Sequence, residues 1–293
     1  MRILVAVDGV KTATALVRAI TERPWPSDSS LCLVNVFKPL PFTAAPIIQE
    51  RWKERVLRNL EAVAVPLRNL ARETAVEICV GSPAREINKF AELWRADLIV
   101  LSCNELNDLM RLFLGSTVRS VVRHALCSVE IVRPRPKPGN LREGMRILIA
   151  TDGSERSLAA FHSVAQRPWP PNSMAKVISV PELILLKDPS YFETHGAKDL
   201  GAAAMEDARI SVAAGVGALS ESSLKVSSAI PNFQDQPYKV IIHEADEWQA
   251  DMIVVGSHGR TGFDRAVMGS VSEAVALNAS CSVEVIRQAS MTA

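Results

Sequence analysis

The chain has 293 residues, with 33 Lys and Arg against 32 Asp and Glu, and 48% of it is hydrophobic. This near-neutral balance lacks the electrostatic footprint of a nucleic-acid binder, and the apolar content excludes a disordered polypeptide. No apolar run reaches the length of a membrane span, and two domains of ordinary size are expected.

The first residues, MRILVAVDG, go directly into a strand pattern that ends at Asp8. The segment lacks the longer apolar stretch and small-residue cleavage site of a signal peptide, so a cytoplasmic location is expected. Strands are predicted near 3–7, 31–37, 75–80, 97–102 and 128–132, separated by helical patterns near 12–22, 48–72, 84–95 and 116–125. Strands alternating with helices in this way predict a parallel sheet covered on both faces. The five cysteines have no C-x-x-C spacing. Four are expected to act as small hydrophobes beside strands. Cys103 falls in a polar stretch, where a reactive thiol is the alternative. The five histidines form no ligand pair, so no metal site is expected.

The chain then repeats itself. MRILVAVDG returns as MRILIATDG at 145–153, and Arg23-Pro24-Trp25-Pro26 returns as Arg167-Pro168-Trp169-Pro170, both shifted by 144 positions. Farther on the shift is 154, carrying Cys127-Ser128-Val129-Glu130 onto Cys281-Ser282-Val283-Glu284. A unit this long is a domain rather than a solenoid repeat. The expected division is a first domain over 1–134, a Pro-rich extended linker over 135–144 and a second domain over 145–288. The nearly identical S-V-E strands that end the two copies are candidates for edge-to-edge pairing within the chain.

The second copy has ten extra residues between Pro170 and Pro237. Its second strand is predicted over Val177–Val180, and an alanine-rich helix over 200–219 whose last turn is weakened by Gly215 and Gly217. The stretch Tyr191–Gly196, with a solvated His195, is assigned to the loop carrying the insertion.

The densest signal lies at Ile253–Glu273. A short β-branched run stops at Gly256, and Gly259, Gly262 and Gly269 follow, four of only 14 glycines in the chain. Glycine lets backbone N–H groups approach a ligand. Ser270-Val271-Ser272-Glu273 then opens a helical pattern. Strand, glycine loop and helix N-terminus together make a phosphate-binding arrangement. The same residues admit a plainer reading, in which Ser270 and Glu273 form a capping box. Asp152 ends the first strand of its copy, where open α/β sheets bind ligands. It reads either as a ribose or base acceptor or as a helix cap in Asp152-Gly153-Ser154-Glu155.

The spacing Gly256-x-x-Gly259, nine residues, then Gly269-Ser270 resembles the nucleotide-binding signature of the universal stress protein family. The chain as a whole is similar to a tandem member: two Rossmann-like α/β domains, each a five-stranded parallel sheet with helices on both faces. The resemblance implies ATP, carried with Mg, in the second copy. Asp152 would meet the ribose or adenine, and Val180 would pack on the base. Gly256, His258 and Gly259 would wrap ribose and phosphates, while Gly269, Ser270, Val271 and Ser272 would hold the phosphates. Arg260 lies outside the glycine signature but adds fixed positive charge to the loop. The first copy departs from the pattern, with Ser102 in place of Gly256 and Glu105 in place of Gly259. A carboxylate about 5 Å from phosphate charge costs about 3 kcal/mol per charge pair at an effective dielectric near 20. The first copy is therefore expected to be a scaffold without a phosphate site.

No motif pairs a nucleophile with a base. The expected function is a nucleotide-dependent stress-response regulator with a protein partner that the sequence does not identify. A slow ATPase or other adenine-nucleotide hydrolase is the alternative, and a pure interaction module is a third class. Neither nucleic acid nor membrane is expected as a partner. The two domains are expected to pair within the chain, with a homodimer as a further possibility.

Overall fold

The structure is a computed structural model that describes residues 1–38, 46–103, 114–133, 144–181, 197–231, 235–257 and 268–287. The first copy runs β1 (Arg2–Ala6), α1 (Val10–Thr21), β2 (Ser30–Phe37), α2 (Pro46–Ala64), β3 (Glu73–Val80), α3 (Pro83–Leu93), β4 (Leu98–Ser102), α4 (Ser116–His124) and β5 (Ser128–Val132). The second runs β6 (Arg146–Ala150), α5 (Glu155–Ala165), β7 (Met174–Ile178), α6 (Ala197–Ala218), β8 (Lys225–Ala229), α7 (Pro237–Glu247), β9 (Met252–Gly256), α8 (Ser270–Asn278) and β10 (Ser282–Ile286). The long helical pattern predicted over 48–72 breaks at a 3-10 turn, Val65–Leu67. Pro66 has no N–H to continue the helical ladder.

All ten strands form one sheet, in the order β3-β2-β1-β4-β5-β10-β9-β6-β7-β8. Within each copy every pairing is parallel. The copies meet where β5 and β10 pair antiparallel, Val129 opposite Val285, Glu130 opposite Glu284 and Ile131 opposite Val283. The self-similar last strands thus cover each other's edge and relate the copies by a pseudo-twofold. The symmetry extends to small features. Arg95 and Gln249, matching positions after α3 and α7, both take the left-handed φ of 53° common just past a helix end. Asp97 and Asp251 accept the backbone N–H groups of Arg2 and Arg146 at 2.7 and 2.8 Å.

The two faces of the sheet are packed differently. On one face Leu4, Ile99, Val129 and Ile131 of the first copy share a single core with Ile253, Val275, Val283 and Val285 of the second, under α3, α4, α7 and α8. On the other face the cores are separate. Leu16, Ile20, Leu60 and Val132 pack under α1 and α2, while Phe161, Val164, Val212 and Ile286 pack under α5 and α6. Strand alternation explains this split, because Val129 and Ile131 point to the shared face and Glu130 to the other.

Gly215 illustrates a limit of propensity. Glycine inside a helix costs about 1 kcal/mol against alanine, yet a Cβ there would lie 2.4 Å from Cζ of Phe161, a fully buried side chain. The residue is the notch that seats α6 on α5. Gly215→Ala is expected to lose about 1–3 kcal/mol through overpacking, outweighing the propensity gain. A urea midpoint at or above that of the parent chain would contradict this.

Candidate functional site

The order β8-β7-β6-β9-β10 reverses between β6 and β9, and ligands in such sheets bind beyond the carboxyl ends of the strands at the reversal. Three segments converge there. Asp152 follows β6, which pairs with β9 through Ala150 and Val255. Gly256 ends β9. The start of α8 is tied to that strand end twice: Gly269 N–H donates to the Ser257 carbonyl at 2.8 Å, and the buried Ser272 hydroxyl donates to the Gly256 carbonyl at 2.5 Å.

The expected residues take distinct places. Ser270 is exposed, while Gly269 and Val271 are half-buried. Ser272 faces inward, and its hydroxyl serves the strand end. Val180 lies two residues past β7, which runs over Met174–Ile178 and not to 180, and it packs partly buried against the shared core. His258, Gly259 and Arg260 lie outside the described residues, as do Glu105, Tyr191–Gly196 and the linker's 135–143.

Both capping boxes give way to other arrangements. The N-cap of α5 is Ser154, whose hydroxyl accepts the Ser157 N–H. Gly153 takes a left-handed φ of 78° and delays the helix beyond Asp152. Oδ1 of Asp152 instead accepts the N–H and hydroxyl of Ser154 at 3.1 and 2.7 Å, an Asx turn at the rim of the crevice. The N-cap of α8 is Gly269, with no side-chain cap. Glu273, one turn past that N-cap, pairs at 2.5 Å with Arg123 of the first copy.

Gly256 has a structural reason of its own. A Cβ there would approach the Arg156 carbonyl oxygen to 3.0 Å and the Ser157 nitrogen to 3.1 Å. The glycine lets the first turn of α5 press against the end of β9, the close helix–strand packing that a dinucleotide-fold glycine provides. In the first copy Ser102 holds this place, half-buried, its hydroxyl donating to the Cys103 carbonyl at 3.2 Å. Asp8 there is exposed and accepts the Thr12 hydroxyl.

Cys103 is buried in the shared core, and burial pushes its thiol up, which is the opposite of a reactive thiolate. Burial likewise pushes the thiols of Cys32, Cys127 and Cys281 up to about 12, with Glu77 adding to the rise at Cys32.

The repeat also carries residues whose role the sequence reading missed. Arg23 and Arg167, of the two Arg-Pro-Trp-Pro segments, reach the fully buried Glu130 and Glu284 that face each other across β5 and β10. Arg167 donates twice to the Glu284 carboxylate, at 2.8 and 2.5 Å, and once to the Ser163 hydroxyl, at 2.7 Å. Trp25 and Trp169 donate to the Ile20 and Val164 carbonyls at 2.9 and 2.8 Å, locking each motif to the end of its helix. Burial raises the pKa of Glu130 against the pull of Arg23, and Glu284 adds to the rise. For Arg167, burial is overcome by the carboxylate of Glu284, and its pKa is raised. The available signal was the acid itself, since a glutamate inside a strand buried on both faces requires a cation partner. A cavity of about 240 Å³ lies beside this cluster, lined by Arg18, Glu22, Arg133 and Asp251 among others. It touches the amino end of β9 and is separate from the crevice at the carboxyl ends.

A second symmetric pair of arginines crosses the interface. Arg133 donates to the Ala276 and Cys281 carbonyls at the end of α8, at 2.6 and 3.2 Å. Arg287 donates to the Val122 and Arg123 carbonyls at the end of α4, at 2.7 and 3.3 Å. Each places positive charge where a helix dipole is negative. Burial lowers the pKa of both.

The fold and the crevice define a tandem α/β protein of Rossmann-like architecture. The universal stress protein family model matches residues 1–133 and again 145–287, and the chain belongs to that family. A universal stress protein of Mycobacterium bovis is 26% identical over 273 residues, covering 87% of this chain and 84% of its own. One from Thermus aquaticus is 34% identical over 137 residues, 45% of this chain and 97% of its own. Among solved structures, a universal stress protein from Archaeoglobus fulgidus superposes with a TM-score of 0.65 at 19% identity, covering 98% of this chain and 96% of that one. Among the described residues no helix is long and apolar enough to cross a membrane.

Proposed function

We propose that the chain is a nucleotide-binding regulatory protein that holds one ATP, carried with Mg, at the crevice of the second copy. The observation that carries this reading is the convergence of Asp152, Gly256 and the uncapped start of α8 at the strand-order reversal. The first-turn N–H groups of a helix are suited to phosphate oxygens, and the N-cap here, Gly269, has no side chain to occupy them. Gly259 and Arg260 complete the loop in sequence. Ser270 offers an exposed hydroxyl, and Val180 an apolar surface at the carboxyl end of β7. Ser272 contributes by holding the helix start to β9.

Calorimetric titration of ligand-free protein with Mg-ATP is expected to give one site per chain. ATP at one hundred times its dissociation constant should add about 2.7 kcal/mol of stability. Gly259→Glu, which copies Glu105 of the first copy, should abolish binding through bulk and charge together. Glu105→Gly should restore little, because Ser102 remains. Two sites per chain, with Gly259→Glu removing half the binding, would overturn the assignment to the second copy. Steady release of ADP would replace the regulatory reading with that of a hydrolase.

A further inference from the structure

The pseudo-twofold is kept by the Glu130 and Glu284 cluster and by the Arg133 and Arg287 clamps, but it is broken between α4 and α8. Arg123, in the last turn of α4, forms an ion pair with Glu273, in the first turn of α8, at 2.5 Å. The reciprocal contact does not exist, because the positions related by the 154-residue shift are Leu277 and Arg119. The interface therefore sends a charge in one direction, from the first copy to the helix start that keeps its glycines in the second.

The chemistry of that helix start gives the pair a purpose. Ser270-Val271-Ser272-Glu273 has the sequence of a capping box, but the N-cap is Gly269 and the Glu273 N–H donates to the Gly269 carbonyl at 2.9 Å, so Glu273 stands one turn into the helix. An unpaired carboxylate in this first turn would repel phosphate oxygens. Instead Glu273 is drawn toward α4, and α8 begins at Gly269 with no side-chain cap.

We propose that Arg123 is a positioning residue for the phosphate end of the second copy's site. It neutralises Glu273, the acid in the first turn of α8. This rests on the nucleotide reading given above, and it makes the first copy a working part of a site that it does not itself contain.

The test is ATP titration of the full chain by calorimetry. Arg123 is half exposed at 49% of its side chain, so Arg123→Ala is expected to fold. It should weaken ATP binding about three- to fivefold at low salt, the range of a partly exposed ion pair. The difference should shrink toward 1 M salt, where the screening length falls to about 3 Å. Arg123→Lys should retain most of the affinity. The double variant Arg123→Ala with Glu273→Gln should bind as well as the parent chain, a rescue that a purely structural role would not produce. Parental affinity in Arg123→Ala, or a loss that Glu273→Gln fails to repair, would overturn the inference while leaving the ATP site standing. Absence of ATP binding in the parent chain would overturn both.

Discussion

Arg167→Ala should lower the stability of the chain by about 3–5 kcal/mol, the cost of leaving a buried carboxylate without its partner. Glu284 has no solvent exposure and receives two short bonds from the Arg167 guanidinium. Directly opposite it in register stands Glu130, equally buried. Like charges facing each other across a ladder are unfavourable, so each arginine offsets both the burial of its own glutamate and the repulsion from the other. With a total stability on the order of 5–15 kcal/mol for a folded domain, losing one arginine removes about a fifth of it or more. The pair itself is not expected to be a net source of stability. Arg167→Met combined with Glu284→Leu should be neutral or gain about 1–4 kcal/mol, because the desolvation cost disappears with the charges. Urea denaturation of the single and double variants decides this. A single variant that loses less than about 1 kcal/mol would show that water reaches Glu284 and that the cluster is not buried in solution.

Most strands were legible because each is a short β-branched run between breaks, whereas β8, KVSSA with Val226 as its one β-branched residue, was not read. The repeat revealed two domains before any fold was considered. The pairing of β5 with β10 was legible from the near-identity of SVEIV and SVEVI, since two self-similar edges can cover each other. Caps and interior charges were harder to read. Glu273 satisfies the local pattern of a capping box, and its distant partner Arg123 lies 150 positions away in sequence. Cys103 follows a polar serine and precedes an asparagine, yet it packs in the shared core, so local polarity misjudged its burial. Gly215 weakens its helix by propensity and is required by the ring of Phe161. In each case the deciding contact joins residues far apart along the chain, where periodicity and local motifs carry no information.

Cleaving the chain within 134–143 is expected to leave the two halves together. The linker supplies proximity, but the contacts described here do not depend on it. β5 and β10 share a ladder, and the core on one face runs through both copies without a boundary. Arg133 and Arg287 each grip the helix end of the other copy with charged donors, bonds worth about 1.5–3 kcal/mol where the group is charged. The halves should therefore elute as one species at micromolar concentration, corresponding to an association free energy beyond about 8 kcal/mol. Elution as two species of half the intact 31.9 kDa would mean that the linker holds the sheet together. Ile131→Asp provides the matching disruption. Ile131 is fully buried opposite Val283 in the shared core. An unpaired carboxylate there costs several kcal/mol, applied to the one strand pair that joins the copies. In the cleaved protein this substitution should separate the halves, and in the intact chain it should expose the β10 edge to other molecules. Concentration-dependent self-association of intact Ile131→Asp, absent from the parent chain, is the expected sign. A cleaved Ile131→Asp protein that still elutes as one species would place the main attachment between the copies outside the β5–β10 seam.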